Sequence, residues 1–454
     1  MLGNDRLMEL LRKLVREGEG CGAGQSEVLY VGSHNSTTRF ANSIVMQNIK
    51  ESNRTIYFRV LLDKKLGVTS TNSLHIEDLR KCMKKAIEIA RQSKPLKFFD
   101  GFPMPYKYQE MKTHYPETTD LTISDKVKVL EHIFKKTNFA IHNPRSAIKI
   151  GGAFSTSEAE IGIVNSNSLI AYQPFTSAHL SLITSSSSGS GFASQFERNA
   201  KNIDIDRLLS ISIKKCRTKK KRRLKPGRYK VILEPIAVNE IMEWLIYISF
   251  GASVFIDGTS FMAGNIGKKI MSKKLTIYDD GSDISGFPVP FDFEGVKKRR
   301  LDIIKNGEAT SLAYDTILAK KCRKKTTGHA LTPDNIEGPF PTNVFIKEGD
   351  FTIDEMVSMV DRGIMVTRFH YVNGLLDTKT ASMTGMTRDG TFYIEDGEIK
   401  YPIEDMRFTA SILNAFSKIE VISKGRQTFP SPYSIVGTHI IPALLIKDFN
   451  FSDS

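Results

Sequence analysis

The chain has 454 residues, of which 40% are hydrophobic, and a net charge of +14 at neutral pH. This length exceeds the usual size of a single core and predicts two domains of roughly 200 to 250 residues each. The longest apolar stretch, residues 244–256, is too short to span a bilayer, which argues against a membrane protein. Four widely spaced cysteines without a CxxC pair, and a start without a signal-peptide pattern, favour a cytoplasmic protein with reduced thiols.

The first half of the chain combines helical and strand patterns. Apolar residues at helical spacing predict helices at residues 5–17, 77–92 and 124–137. Alternating polar and apolar residues predict strands at residues 26–31, 44–50, 55–62 and within 146–183. We therefore predict that residues 1–213 form an N-terminal α+β domain in which helices cover a sheet.

A strongly basic segment follows this domain. Residues 214–225, with the sequence KKCRTKKKRRLK, contain nine basic residues in twelve and lead to Pro226 and Gly227. We predict that residues 214–227 are a basic linker. Such a run can attract phosphates, so nucleic-acid binding through it is an alternative function. No aromatic residues interleave with the basic ones, as stacking on bases would require, and this favours a solvated segment.

The second half, residues 228–454, is predicted to be an antiparallel β-rich domain with helices at its edges. A helical stretch at residues 237–250 carries Trp244, the only tryptophan, and a short helix is expected at residues 354–361. The strongest signals for strands are dipeptides that suit type I′ hairpin turns. The three clearest, each between apolar, β-branched or aromatic flanks, are Asn306-Gly307, Asp389-Gly390 and Asp396-Gly397.

No local motif specifies a reaction. None of the nine histidines is followed by glutamate, and no two lie three to five residues apart, so a zinc pair on one helix is absent. His329, His370 and His439 could meet in space to hold a metal, although separate histidines, each with a backbone hydrogen bond, are the simpler interpretation. Asp292 and Glu294 would share one face of an extended segment and could serve in acid–base catalysis, although solvated turn residues are the simpler interpretation. An independent hydrolase with such a non-standard site is a further alternative.

An ordered series of segments is similar to the TldD/TldE (PmbA) peptidase family. The most specific block is PVPFDFEGVKKRRLDIIKNG, at residues 288–307, and it follows Gly-Asn-Ile-Gly-Lys at residues 264–268. Further matches occur in the family's order at residues 327–330, 366–368, 384–390, 393–399 and 431–435. The resemblance spans nearly the whole chain, although it is thinner in the first half. It implies an N-terminal α+β domain and a C-terminal β-rich domain that together enclose a cavity.

The resemblance also identifies where this chain departs from the catalytic members. TldD-type members carry His-Glu-x-x-x-His on the helix before the Gly-x-Ile-Gly segment, and a cysteine near the C-terminus as third zinc ligand. Counted back from Gly267, the histidine positions fall on Glu243 and Ile248, the glutamate position falls on Trp244, and no cysteine follows Cys322. The resemblance thus implies a TldE/PmbA-type chain without catalytic residues, metal ligands or a cofactor. It further implies a heterodimer in which a TldD-like partner holds zinc and the pair degrades unfolded or flexible peptides.

Overall fold

The structure, a computed structural model, describes residues 1–139, 148–187, 189–216 and 220–452. These residues form one sheet of six strands and a second of eleven strands, with helices packed on both. The α+β fold class predicted from the sequence is confirmed. Across the described ranges, we find no helix with the length and apolar character needed to cross a membrane.

The first half of the chain builds the six-stranded sheet and its helices. Their bounds are α1 Asn4–Gly20, β1 Gln25–Ala41, β2 Ile44–Leu62, β3 Lys65–Thr71, α2 Ile76–Gln92, α3 Pro116–Thr119, α4 Ile123–Phe139, β4 Lys149–Asn165, β5 Ile170–Ser185, β6 Ser190–Glu197, a 3-10 turn Ala200–Asn202 and α5 Ile205–Cys216. The strand order is β3-β2-β1-β4-β5-β6, and every pairing is antiparallel. Leu7 and Leu11 of α1 and Leu79 and Met83 of α2 pack together on one face, as their helical spacing predicts.

The predicted strands of this sheet are longer than the sequence pattern indicated. The segments at residues 44–50 and 55–62 are parts of the single strand β2, which pairs with β1 from Gln25 to Ala41. The polar residues between the two segments hide the continuity, since that part of β2 is exposed and shows no alternation between a buried and an open face. Asn42 and Ser43 close this hairpin with positive φ angles of 51° and 61°.

The second half builds the eleven-stranded sheet. Its elements are β7 Gly227–Leu233, α6 Pro235–Ser249, α7 Ala252–Ile256, β8 Ile277–Asp279, β9 Leu301–Lys305, β10 Glu308–Ala309, α8 Thr316–Lys321, β11 Asn343–Ile346, α9 Ile353–Ser358, β12 Arg362–Asp377, β13 Ser382–Glu395, β14 Glu398–Pro402, β15 Arg407–Ser411, α10 Ile412–Ser417, β16 Ile419–Pro430 and β17 Thr438–Ser452. The order is β10-β9-β8-β11-β17-β15-β13-β12-β7, with β14 beside β13 and β16 beside β17. Most pairings are antiparallel, but β11 with β17 and β12 with β7 are parallel. A hairpin dipeptide can predict only the antiparallel pairing of the two strands that it joins. It cannot predict these parallel pairings between strands that are distant in the sequence.

Two of the three predicted hairpin turns are confirmed, and one prediction is wrong. Asn306-Gly307 joins β9 to β10, and Asp396-Gly397 joins β13 to β14, with positive φ at both residues of each turn. Asp389-Gly390 instead lies inside β13, where the register with β12 shifts between Val366 and Arg368. Its positive φ angles, 53° and 127°, serve a β-bulge there, which needs the same backbone conformations as a tight turn.

The basic segment at residues 214–227 is only partly described. Its first residues belong to the end of α5, and its last residue begins β7. Residues 217–219 of the basic run lie outside the described residues, as do residues 146–147 of the predicted strand region and residues 453–454 of the predicted C-terminal domain.

The two sheets meet across a buried ionic cluster. Arg59 of β2 donates from Nε to Glu27 Oε1 at 2.6 Å and from a terminal nitrogen to Glu294 Oε1 at 3.2 Å. The three side chains are at most 7% exposed. Burial opposes the positive charge, but the two carboxylates outweigh it and raise the pKa of Arg59. Glu294 comes from the second half of the chain, so this cluster links the two sheets.

Replacing Arg59 with leucine should lower the free energy of unfolding by about 3–5 kcal/mol, because it leaves two buried carboxylates without their cation. Urea unfolding followed by circular dichroism measures the loss. The matched control is Arg80→Ala, which removes an arginine whose ion pair with Glu17 is 41% exposed on the arginine side. Equal losses for the two variants would contradict a structural role for the buried cluster.

Candidate functional site

The candidate site lies on α6, at the three positions that the family resemblance aligns with a zinc motif. Pro235 at the first turn fixes the start of this helix, and its inward face, with Ile241, Leu245 and Ile248, is fully packed in the core of the second sheet. Glu243, Trp244 and Tyr247 lie on the opposite face, toward β12 and the loop before β17.

Glu243 takes part in a chain of side-chain hydrogen bonds. Asn239 donates from Nδ2 to Glu243 Oε1 at 2.8 Å, one helical turn away. The other amide atom, Oδ1, lies 2.9 Å from His439 Nδ1. Since an amide oxygen only accepts, His439 Nδ1 carries the proton and donates. Burial lowers the pKa of His439 to about 4, which keeps the ring neutral.

The carboxyl group of Glu243 is held in a poorly solvated environment. Burial raises its pKa to about 7, and the hydrogen bond from Asn239 opposes this only in part. Tyr433 donates its hydroxyl to the main-chain carbonyl of Glu243 at 2.6 Å and stacks on Tyr247. The loop before β17 thereby closes one side of the site.

Trp244 is fastened to the neighbouring strand. Its indole nitrogen donates to the carbonyl of Val372 in β12 at 2.8 Å. Gly374 passes directly beside the indole, where a Cβ atom would lie 2.8 Å from Trp244 Cβ. The strand can therefore approach the helix only because residue 374 has no side chain.

These residues do not fit a zinc ion. Ile248 is 2% exposed and belongs to the hydrophobic core, and neither its side chain nor that of Trp244 offers a ligand atom. Glu243 would be a single carboxylate donor. Throughout the described ranges, no three His, Cys, Asp or Glu side chains are grouped so that they could hold a metal.

Another buried carboxyl group on α6 was not predicted. Glu240 accepts the main-chain N–H of Phe369 at 2.5 Å, and burial raises its pKa to about 8. It lies three residues before Glu243 on a mostly apolar helix. Two acids on a mostly apolar helix were the one sequence pattern that could have indicated buried carboxyl groups at Glu240 and Glu243. No sequence pattern indicated a role for Asn239 or Tyr433.

The three histidines proposed from the sequence have different environments. His329 is buried, with Nε2 3.0 Å from Asp279 Oδ1. His370 is partly exposed in β12, with its ring against that of Tyr371. His439 contacts Asn239, so its partner is a side chain rather than the predicted backbone group. The structure therefore does not favour a shared metal site.

One arrangement resembles a hydrolytic triad but is committed to the fold. His329 contacts Asp279 through Nε2 and the Thr327 hydroxyl through Nδ1, the latter at 2.9 Å. That hydroxyl donates to the carbonyl of Tyr314 at 3.1 Å and accepts the N–H of Tyr314 at 2.8 Å. A hydroxyl held in this way connects two loops and is not free to attack a substrate.

Asp292 and Glu294 are also structural. The interpretation as solvated turn residues is wrong, because both are only 4% exposed. Asp292 accepts main-chain N–H groups from Glu294, Val296 and Ala330, while burial and the neighbouring charge of Glu294 raise its pKa. Glu294 binds Arg59 and the N–H of Thr316. The two acids fix loops at the sheet interface.

Described members of the basic run contact other parts of this chain. Lys215 pairs with Glu234 at 2.5 Å, and Lys221 lies 3.8 Å from Asp405. The guanidinium of Arg222 stacks 4.2 Å from the ring centre of Tyr401. These contacts attach the segment to the second sheet and give no support to a nucleic-acid interface.

The comparisons with known proteins point to one family. The model of the PmbA/TldA metallopeptidase C-terminal domain matches residues 226–453, and the model of PmbA/TldA metallopeptidase domain 1 matches residues 26–90. An uncharacterized protein of Methanocaldococcus jannaschii is 26% identical over 437 residues, which cover 93% of this chain and 97% of that protein. Metalloprotease PmbA of Escherichia coli O157:H7 is 27% identical over 221 residues, which cover 47% of this chain and 46% of that protein.

The fold has a close counterpart among solved structures. TldE from Thermococcus kodakarensis superposes with a TM-score of 0.86 and 21% sequence identity, over 97% of this chain and 99% of that chain. At this identity the match concerns the fold. The chain thus shares its architecture, from α1 to β17, with that protein.

The stability of the protein should depend on pH through Glu243. Its pKa rises from 4.5 to about 7 on folding, so folding favours the protonated form. The stabilising contribution is complete below about pH 4.5 and is lost as the pH rises through about 7. Glu243→Gln should therefore be more stable than the unmodified protein by about 1–3 kcal/mol at pH 8, and the difference should shrink as the pH falls toward 5.

Thermal and urea unfolding of both proteins from pH 5 to 8 measure this difference. Glu9→Gln, at an exposed position on α1, is the matched control and should show no pH-dependent gain. If Glu243→Gln follows the same pH profile as the unmodified protein, Glu243 is not held in a poorly solvated site.

Proposed function

The chain belongs to the TldD/TldE (PmbA) family of metallopeptidases, and we propose that it is a TldE-type, non-catalytic subunit of a heterodimeric zinc metallopeptidase. Its partner is a TldD-like chain that holds the zinc. The substrates are unfolded or flexible peptides, and the pair works in the cytoplasm. The four free cysteines agree with a reducing compartment.

The observation that carries the proposal is the state of the three motif positions on α6. A zinc peptidase needs three protein ligands, an open coordination position and a base that activates water. At these positions Glu243 binds Asn239, Trp244 is hydrogen-bonded to β12, and Ile248 is in the core. Glu243 offers a single carboxylate and the other two side chains offer no ligand atom, so the three positions cannot supply a zinc site.

In this proposal the chain contributes structure to its partner. Two sheets joined through Arg59 give a rigid body that can form one wall of a peptide chamber. Extended peptides bind to sheet edges through main-chain hydrogen bonds, which make little demand on sequence. Such a wall suits substrates that are recognised by being unfolded.

Co-purification tests the proposal directly. The chain and the TldD-like protein of its own organism are expressed alone and together, and each sample is assayed for zinc and for cleavage of an unstructured peptide. We expect zinc in the TldD-like chain, none in this chain alone, and full cleavage only for the mixture. Stoichiometric zinc with cleavage by this chain alone would overturn the proposal.

Two substitutions separate the roles of the chains. Changing the motif glutamate of the partner to glutamine should abolish cleavage, because that residue activates the attacking water. Glu243→Gln in this chain should leave the kcat of the pair within about two-fold, which is under about 0.5 kcal/mol in activation free energy. A loss of zinc-dependent cleavage from Glu243→Gln would show that this chain takes part in the chemistry.

A further inference from the structure

A cavity of about 510 Å³ lies where the first sheet meets the second. Residues 192–197 of β6 line one part of it, and residues 423–428 of β16 line another. One face of α5, the first residues of α6, residues 352–354 at the start of α9 and Thr367 of β12 also line it. Its volume is in the range of ligand-binding pockets. It lies at the start of α6, whereas the three motif positions are two to three turns further along that helix.

The strand β6 presents a free edge in this cavity. It is the terminal strand of the six-stranded sheet and pairs with β5 alone within the described ranges. At the turn between them, the N–H of Ser186 donates to the carbonyl of Gly189 at 2.9 Å, so residues 186 and 189 are a hydrogen-bonded pair. In the register of β5 with β6, residues 191, 193, 195 and 197 are then the ones whose main-chain groups bond to β5. Because such pairs alternate, the main-chain groups of Phe192, Ser194 and Phe196 point to the outer edge.

The hydrogen bonds of Ser194 identify what this edge can bind. The side-chain amide of Gln427, from β16, donates to the carbonyl of Ser194 at 2.6 Å. On the same edge, the N–H of Ser194 has no acceptor among the described residues. Ser194 is only 8% exposed, so an unpaired N–H there has a free-energy cost. An amide donor already lies where the N–H of an added strand would bind.

Charged residues of both signs line the cavity, including Arg207 and Lys424 beside Glu197 and Asp354. Lys215 is paired with Glu234 at 2.5 Å, and Arg426 with Glu348 at 2.6 Å. Apolar side chains, including Phe192 and Leu208, line the walls together with these charges. Such a surface suits a ligand with regular main-chain polarity and varied side chains.

We propose that the outer edge of β6 binds an extended peptide segment as an added strand inside this cavity. The peptide carbonyl accepts the N–H of Ser194, and a peptide N–H replaces the Gln427 amide at the carbonyl of Ser194. Recognition is through the main chain, so a wide range of sequences binds. This inference rests on the proposed function, since it assigns the flexible peptide substrate a place on the non-catalytic chain.

A proline at residue 194 tests the proposal. Ser194→Pro removes the outward N–H and places a ring on the edge, while the bonds between β6 and β5 are kept. The matched control, Ser194→Ala, keeps the N–H. The probe is fluorescein-labelled oxidised insulin B chain, and its binding to the isolated full-length chain is followed by fluorescence anisotropy.

We expect the unmodified chain and Ser194→Ala to bind the probe with equal Kd, and Ser194→Pro to bind at least about ten-fold more weakly, which corresponds to about 1.4 kcal/mol. Equal Kd values for all three proteins, or no binding by the unmodified chain, would overturn the proposal. Circular dichroism and the thermal midpoint establish that Ser194→Pro is folded.

Photo-crosslinking supplies a second measurement that does not depend on the proline variant. The photoreactive residue p-benzoylphenylalanine is placed at Glu197, which lines the cavity, or at Lys201, which is exposed outside it. The probe should crosslink at residue 197 and not at residue 201, and equal crosslinking would contradict the site. Both assays use this chain without its partner or zinc, so their failure is distinct from a failure of the subunit experiment.

Discussion

Arg59 places a positive charge where both sheets exclude water, and the arrangement of the molecule depends on the groups that neutralise it. Glu27 lies on the neighbouring strand of the same sheet, whereas Glu294 belongs to a loop of the second half of the chain. A buried guanidinium without both carboxylates would be strongly unfavourable, so the cluster holds the first sheet and the loop that carries Glu294 in one relative position. Thr316 and the main chain around Asp292 extend this constraint into the loops beside β9 and α8.

The same constraint explains why several residues that resemble catalytic groups are structural. A buried acid needs hydrogen-bond donors, and Asp279 and Asp292 obtain theirs largely from the main chain. Glu294 accepts from Arg59 and from the N–H and hydroxyl of Thr316. His329 completes one of these sets beside Asp279. The family-like segments at residues 288–307 and 327–330 therefore meet in space, and together with Asp279 they form a polar framework between the sheets. A sequence segment that resembles an enzyme family can therefore have a structural role in fixing loops rather than a catalytic one.

The sequence was informative where a local pattern determines the structure. The periodicity of Leu7 and Leu11, or of Leu79 and Met83, predicted helices that the structure contains, and two of three turn dipeptides were correct. Periodicity cannot reveal which distant strands lie parallel, or that positive φ angles at Asp389 serve a bulge. The candidate site followed from the family resemblance, which places its motif on α6 by counting back from Gly267. Its partners Asn239 and Tyr433 could not be predicted, because they reach Glu243 through tertiary packing.

The contact between Trp244 and Gly374 has a consequence for how this chain can change over evolutionary time. A glutamate at residue 244 would leave the volume of the indole empty and the carbonyl of Val372 without its donor. A larger residue at 374 would collide with the indole that now fills this space. Each position therefore restricts the other, and a change at either one alone lowers stability. Packing thus couples the identity of residue 244 on α6 to that of residue 374 on β12, so the two positions can change only together.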